Sequence, residues 1–299
     1  MSWTSLAEFA ARFDAPPGER PAWVLPEARE VPLESLGLRG RVEDVLDTVT
    51  ALQRAEWLQD GVYVGPSVLP AVYRDVLAAA RRMAVAVPPV IVCAVSGRAQ
   101  GATGTDGRAF VALSSIWLEG ATDGERAFVL GRACGEIAAR QVTADSLYAV
   151  LVDGDGLRAV ARRAVGPLLE VALAPIGLAA RIALSRWHRA AEMSADRAGL
   201  LVCGSVNAAA GALLRASLST RPGFGVDAWL AQLRAAHRDA APGRWAELLQ
   251  AEPWAHKRIG ALDLFARSER YHRLQGSTGP DLVSDADLDK RTAALLAVG

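Results

Sequence analysis

The hydrophobic period of this chain changes in one region, and that change constrains the fold more than any other feature. Val42, Val45, Leu46, Val49, Leu52 and Leu58 recur at helical spacing over 40–59, and 69–85 follows the same rule. Pro89 to Val95 is instead a short β-branched run, and Arg108 to Leu113 is another. Two strands of a small sheet are expected, with the glycine-rich 97–107 as a hairpin connection between them. That connection has no Gly-Lys-Ser/Thr ending and opens no helix, so a phosphate loop is discounted. After Ser115 the helical pattern returns. Asp123 suits the cap of a helix reaching about Gln141, with further helices expected at 144–163, 165–182, 184–203, 206–217, 226–239, 242–250 and 255–268. Ser284 with Asp287 three residues later resembles a capping box opening a last short helix. At the other end, 4–13 suits a short amphipathic helix. Pro16, Pro17, Pro21, Pro26 and Pro32 suit an extended lead-in over 15–35.

The class expected is α+β and predominantly helical, with a small β-sheet. Three parts are read along the chain: an extension over 1–59, a main domain over 60–272, and a linker with a short helix over 273–299. Hydrophobic residues are 51% and charged residues 22%, which is globular rather than disordered composition. Lys+Arg and Asp+Glu are 33 each, which argues against a uniformly basic surface for nucleic acid. Only Lys257 and Lys290 are lysines, so the arginine richness fits GC-rich coding and says little about function. Cys93, Cys134 and Cys203 are odd in number and widely spaced. They predict free thiols in a reducing, cytoplasmic setting. No basic segment followed by an apolar run opens the chain, so no signal peptide is expected.

The stretch 164–184 is the most apolar, yet it holds Pro167, Glu170, Pro175 and Arg181. A charge in mid-span costs about 2.5–3.5 kcal/mol on insertion scales. A buried helical hairpin broken near Pro175 is therefore expected, with membrane association through 164–184 as the alternative.

Two segments carry the chemistry. Phe128 to Arg140 reads Phe-Val-Leu-Gly-Arg-Ala-Cys-Gly-Glu-Ile-Ala-Ala-Arg, with Arg132 and Glu136 one helical turn apart. Leu184 to Leu201 contains Glu192, then Ala195-Asp196-Arg197-Ala198-Gly199, with Ser185-Arg186 upstream. This second segment resembles the zinc metallopeptidase family of the HtpX heat-shock proteases and CAAX prenyl endopeptidases. A late element, Glu252-Pro-Trp-Ala-His-Lys-Arg-Ile259, resembles that family's H-P-x-x-x-x-R-[IV]. The resemblance covers roughly 60–272 and implies a zincin-like fold of the gluzincin type.

The family's catalytic letters are replaced. Its first helix carries H-E-x-x-H, two imidazole ligands at i and i+4 with a glutamate as general base. Matching Gly131 and Gly135 to the family's flanking glycines puts Arg132 at the first histidine, Ala133 at the base and Glu136 at the second histidine. Glu192 alone remains as a family ligand, and Glu252 stands where the family has a histidine before Pro253. Asp196 and Arg197 match positions that support the site from behind. Arginine has no lone pair to give a metal, and alanine cannot move a proton. The expectation is that Arg132 bridges Glu136 and Glu192, reaching also toward Glu252, in the place of the zinc charge.

The resemblance thus implies a catalytically inactive homologue, a pseudopeptidase without cofactor, binding a protein or peptide partner. Its rivals are an active zinc metalloendopeptidase with unusual ligands, a membrane-associated helper, and a hydrolase using Cys134. For Cys134 a small buried core residue is the plainer reading. His188, His256 and His272 are read as ordinary surface, capping or structural histidines.

Overall fold

The computed structural model describes residues 21–30, 39–95, 100–153, 160–161, 166, 178–220, 222–239, 253 and 255–297. In chain order the helices are α1 (Pro26–Arg29), α2 (Arg39–Asp60), α3 (Pro70–Arg82), α4 (Asp123–Ala138), α5 (Val142–Tyr148), α6 (Leu178–Cys203), α7 (Val206–Leu218), α8 (Val226–Asp239), α9 (Ala255–Ala266), α10 (Glu269–Gln275) and α11 (Asp285–Leu296). The strands are β1 (Val62–Tyr63), β2 (Val90–Cys93), β3 (Gly101–Thr103) and β4 (Phe110–Ser114). The architecture is α+β: mostly helical, with one small mixed sheet.

The sheet has four strands, in the order β1-β2-β4-β3, where the sequence predicts two. The two strands that are legible run parallel, so the hairpin predicted between them is corrected. The chain leaves β2, makes β3 at the sheet edge, and turns back through an antiparallel hairpin into β4. Gly104 permits that turn, at φ +116°, and a Cβ there would lie 2.5 Å from the Arg108 carbonyl oxygen. Strand β3 escaped the sequence pattern because Gly101-Ala102-Thr103 has almost no apolar surface to alternate. Both sheet faces are covered. Val90, Val92, Val111 and Leu113 join the main core with Trp117 and Phe128, while Ile91, Cys93 and Phe110 face Trp57 and Leu58 of α2. Burial on both faces explains why β2 and β4 read as continuous apolar runs.

Helix boundaries follow local chemistry. The α4 cap is Thr122, one residue before the predicted Asp123: its side chain accepts from the Glu125 N–H, and Glu125 bonds back to the Thr122 N–H. The helix predicted to reach Gln141 stops at Ala138, Arg140 takes φ +52°, and α5 starts anew at Val142. Within the lead-in, Pro26 opens the single turn α1 instead of extended chain. The Ser284 cap is present, accepting from the Asp287 N–H. The helices expected at 4–13 and 242–250, and the break near Pro175, lie outside the described residues. Among the described residues no helix is long and apolar enough to cross a membrane.

The segment around α1 packs on α6, and α11 packs on α9. Leu25 N–H donates to Ser194 Oγ at 3.0 Å, and the Trp187 indole N–H donates to the Ala28 carbonyl at 3.2 Å. Val24, Leu25, Val42, Leu46 and Val49 share a second core with Leu147, Leu184 and Trp187. Leu288 of α11 reaches the main core.

The pairing of α4 with α6 positions the site. Small residues set its closeness: a Cβ on Gly131 would lie 2.7 Å from Val202 side-chain atoms, and one on Gly199 would lie 2.7 Å from the Phe128 carbonyl oxygen. A Cβ on Gly135 would run into the Ala198 methyl. Forcing helices apart by overpacking costs about 1–3 kcal/mol. Gly135→Ala is therefore expected to lower stability by about that amount despite its gain in helix propensity. Urea denaturation checks this, and a variant as stable as the parent would refute the close-packing argument.

Candidate functional site

Gly131, Gly135 and Gly199 bring the α4 and α6 backbones together, so side chains beside that seam meet across a short gap. Arg132 and Glu136 lie one turn apart on α4. Glu192 and Asp196 lie one turn apart on α6. The Arg132 guanidinium fills the gap: one Nη donates to Asp196 Oδ1, and the other donates to Glu192 Oε2 at 2.8 Å. Its contact with Glu136 is looser, 3.9 Å to Oε1.

A second arginine completes the cluster. Arg258 of α9 donates from Nε to Asp196 Oδ2 and from Nη2 to Asp196 Oδ1, both at 2.8 Å. The same Nη2 lies 3.2 Å from Glu192 Oε2. Asp196 is thus held from two sides, and both guanidinium groups share Glu192. The deep end of the cluster is closed, with the Asp196 side chain 2% exposed, whereas those of Arg132 and Glu192 are each 15% exposed.

Glu136 completes the link to the sheet. The Ala102 N–H of edge strand β3 donates to Glu136 Oε2 at 3.0 Å. Burial, with the charges of Glu192 and Asp145 added, pushes the Glu136 carboxyl up to about 8 against the pull of Arg132. Glu192 moves the other way. Burial would raise it, but Arg132 and Arg258, with help from His188, outweigh burial and hold it down at about 2. Near neutral pH the cluster therefore balances. Two carboxylates, Glu192 and Asp196, face two guanidinium groups, and Glu136 is largely a neutral acid.

His188 is no surface residue. Its ring stacks on Tyr148 at 3.9 Å between centroids, and Nδ1 lies 2.9 Å from Asp145 Oδ1. Burial raises the Asp145 carboxyl, and the His188 hydrogen bond counters that. Arg197 points away from the cluster. It donates to the Trp23 carbonyl and to Thr292 Oγ1, and its guanidinium lies 4.9 Å from the Phe265 ring centroid. Its hydrogen bonds go to the Trp23 segment and to α11, not to the site carboxylates. Burial, then Arg270, lowers it to about 10. Cys134 lies in the apolar core, where burial and the Glu136 charge push its thiol up to about 12, which leaves no thiolate for nucleophilic chemistry. Glu252 lies outside the described residues.

The sequence expectation of an Arg132–Glu136–Glu192 set thus meets a wider cluster. Asp196 is a direct partner rather than a support, and Arg258 was not singled out at all. A signal for Arg258 existed, since it sits five residues after Pro253 in the late element.

The chain matches no family model, no curated protein and no solved structure. A zinc site needs three or four lone-pair donors, mostly imidazole or thiolate. At this seam the two carboxylates nearest the gap already accept from guanidinium groups, and Ala133 offers no atom to a metal or a proton. Among the described residues, no group of three His, Cys, Asp or Glu side chains is arranged to hold a metal ion.

Proposed function

We propose that this protein is a catalytically inactive homologue of the HtpX and CAAX-type zinc metallopeptidases, acting by binding a protein or peptide partner in a regulatory or structural role. The observation that carries this reading is the Arg132 guanidinium seated between Glu192 and Asp196. It stands on the helix face where the resemblance places metal ligands. The small mixed sheet preceding α4, and the packing of α4 on α6, are compatible with a zincin-like fold. Cytoplasmic residence goes with the reading, since Cys93, Cys134 and Cys203 are all free thiols.

A positioned general base contributes roughly 10²–10⁴-fold, and the activation of water by a metal comes on top of that. Ala133 and Arg132 remove both contributions. The purified chain should hold less than about a tenth of an equivalent of zinc after mild dialysis, against the four-coordinate requirement of a real site. It should cleave neither casein nor a peptide library when zinc is supplied. Near one equivalent, lost in Glu192→Ala, together with cleavage that the same variant abolishes, would restore the active peptidase.

A further inference from the structure

We infer that Arg197 is the centre of a buried anion site, holding one small monovalent anion of chloride size where α6, the Trp23 segment and α11 meet. The inference stands whether or not the chain is an inactive peptidase homologue.

Its basis is a buried cation short of partners. Arg197 is 1% exposed. A guanidinium carries five N–H donors and a full charge. Here Nη2 donates to Thr292 Oγ1 at 3.0 Å, and Nη1 makes only a long contact, 3.5 Å, to the Trp23 carbonyl oxygen. Both acceptors are neutral. Nε is buried and has no protein acceptor. Among the described residues no carboxylate pairs with this guanidinium. Asp289, Glu27 and Asp285 act on it only through longer-range charge. Asp285 and Asp289 are instead held by Arg273 and Arg270, each at 2.7 Å. Arg258, buried on the other side of α6, shows what a paired guanidinium looks like, with two 2.8 Å bonds to Asp196. A second donor in this region is also unserved: the indole N–H of Trp23, whose carbonyl meets Arg197, is buried without an acceptor.

These groups define the occupant. Unserved N–H donors call for an acceptor, and an unpaired buried charge calls for a counter-charge. Water supplies the first and not the second. One positive charge selects a monovalent anion, because a divalent one would bury a further charge without a partner. At this depth the anion is a small ion enclosed by the fold, not a side chain of another protein. It ties the segment before α1, and α11, to α6.

The test compares melting temperatures of the full chain in sodium chloride and in sodium gluconate at equal ionic strength, so that screening is the same in both. Gluconate is too large to be enclosed. Arg197→Met keeps the aliphatic stem, removes the charge, and reports the general effect of exchanging the two salts. Relative to that variant, chloride should raise the melting temperature of the parent by about 2–4 °C, as mass action gives for an ion bound only in the folded state. The same chloride effect in parent and variant would overturn the inference. Crystals of the parent grown in sodium bromide decide the matter even if Arg197→Met does not fold. An anomalous peak beside Arg197 Nε is expected there, and an ordered water at that position, or no peak, would overturn the site. A bromide peak without the melting response in a folded variant would mean an adventitious ion only, and would overturn it as well.

Discussion

Arg132→Ala should destabilise the folded chain by about 3 kcal/mol, the lower end of what breaking a buried ion pair costs. The reason lies in what remains. Glu192 loses its 2.8 Å partner and keeps only the longer 3.2 Å approach of Arg258. Asp196 keeps two bonds to Arg258, which is why the upper end of the range is not expected. In a chain of this size the melting temperature should fall by about 6–12 °C. Arg132→Met separates charge from packing, because it keeps the aliphatic stem. It should lose nearly as much as the alanine variant. Adding Glu192→Leu to Arg132→Met should recover part of the loss, because no carboxylate is then left short of a partner. The effect also carries a pH signature. Glu192 is depressed to about 2 in the fold, so the stability it contributes is present above its ordinary value near 4.5 and is lost as pH falls through 2. The difference between parent and Arg132→Ala should narrow below about pH 4.5. A loss under about 1 kcal/mol at pH 7 would place Arg132 among solvated surface pairs and remove the cluster from consideration.

How far these features were legible depends on the physics behind each. The helices α2, α3, α7 and α8 followed from apolar spacing, because each buries one stripe. Strands β2 and β4 followed from β-branched runs. Their parallel pairing did not, since strand direction depends on where β3 inserts, and Gly101-Ala102-Thr103 has no hydrophobic pattern to announce it. The split between α4 and α5 hangs on Arg140 at φ +52°, a residue type that gives no warning of left-handed backbone. At the site, i,i+4 spacing alone puts Arg132 and Glu136 on one face of α4, whereas Glu192 is expected beside them only from the family resemblance. Asp196 was assigned an indirect role because sequence spacing cannot say which neighbour a buried carboxylate meets. It meets two arginines. Arg197, adjacent in sequence, points to another face of α6 and ties down Trp23 and Thr292. The expectation of a surface, capping or structural role for His188 misses its actual partners because nothing local reveals the Tyr148 ring or the Asp145 carboxylate, which come from α5.

Glu136→Gln should stabilise the protein at alkaline pH. The folded chain holds the Glu136 carboxyl up at about 8, whereas an unfolded chain ionises it near 4.5. The folded state therefore binds the extra proton between those values, and the stability linked to it falls as pH rises through the window. The cause is burial, which removes the water that would solvate the charge, with the like charges of Glu192 and Asp145 added. Glutamine is neutral at every pH and can still accept from the Ala102 N–H through its side-chain oxygen, so it imitates the protonated acid without the titration. Below about pH 4.5 the two proteins should be nearly equal in stability. From there the gap should open, reaching about 3–5 kcal/mol in favour of the variant by pH 9, from 1.36 kcal/mol for each unit of raised pKa. Scanning calorimetry at pH 5, 7 and 9 would read it directly, with the variant melting about 6–20 °C higher at the last. Parallel curves across that range would mean that Glu136 ionises as an ordinary surface carboxylate. The balance of two carboxylates against two guanidinium groups would then be wrong, and Arg132 would have to serve three negative partners rather than two.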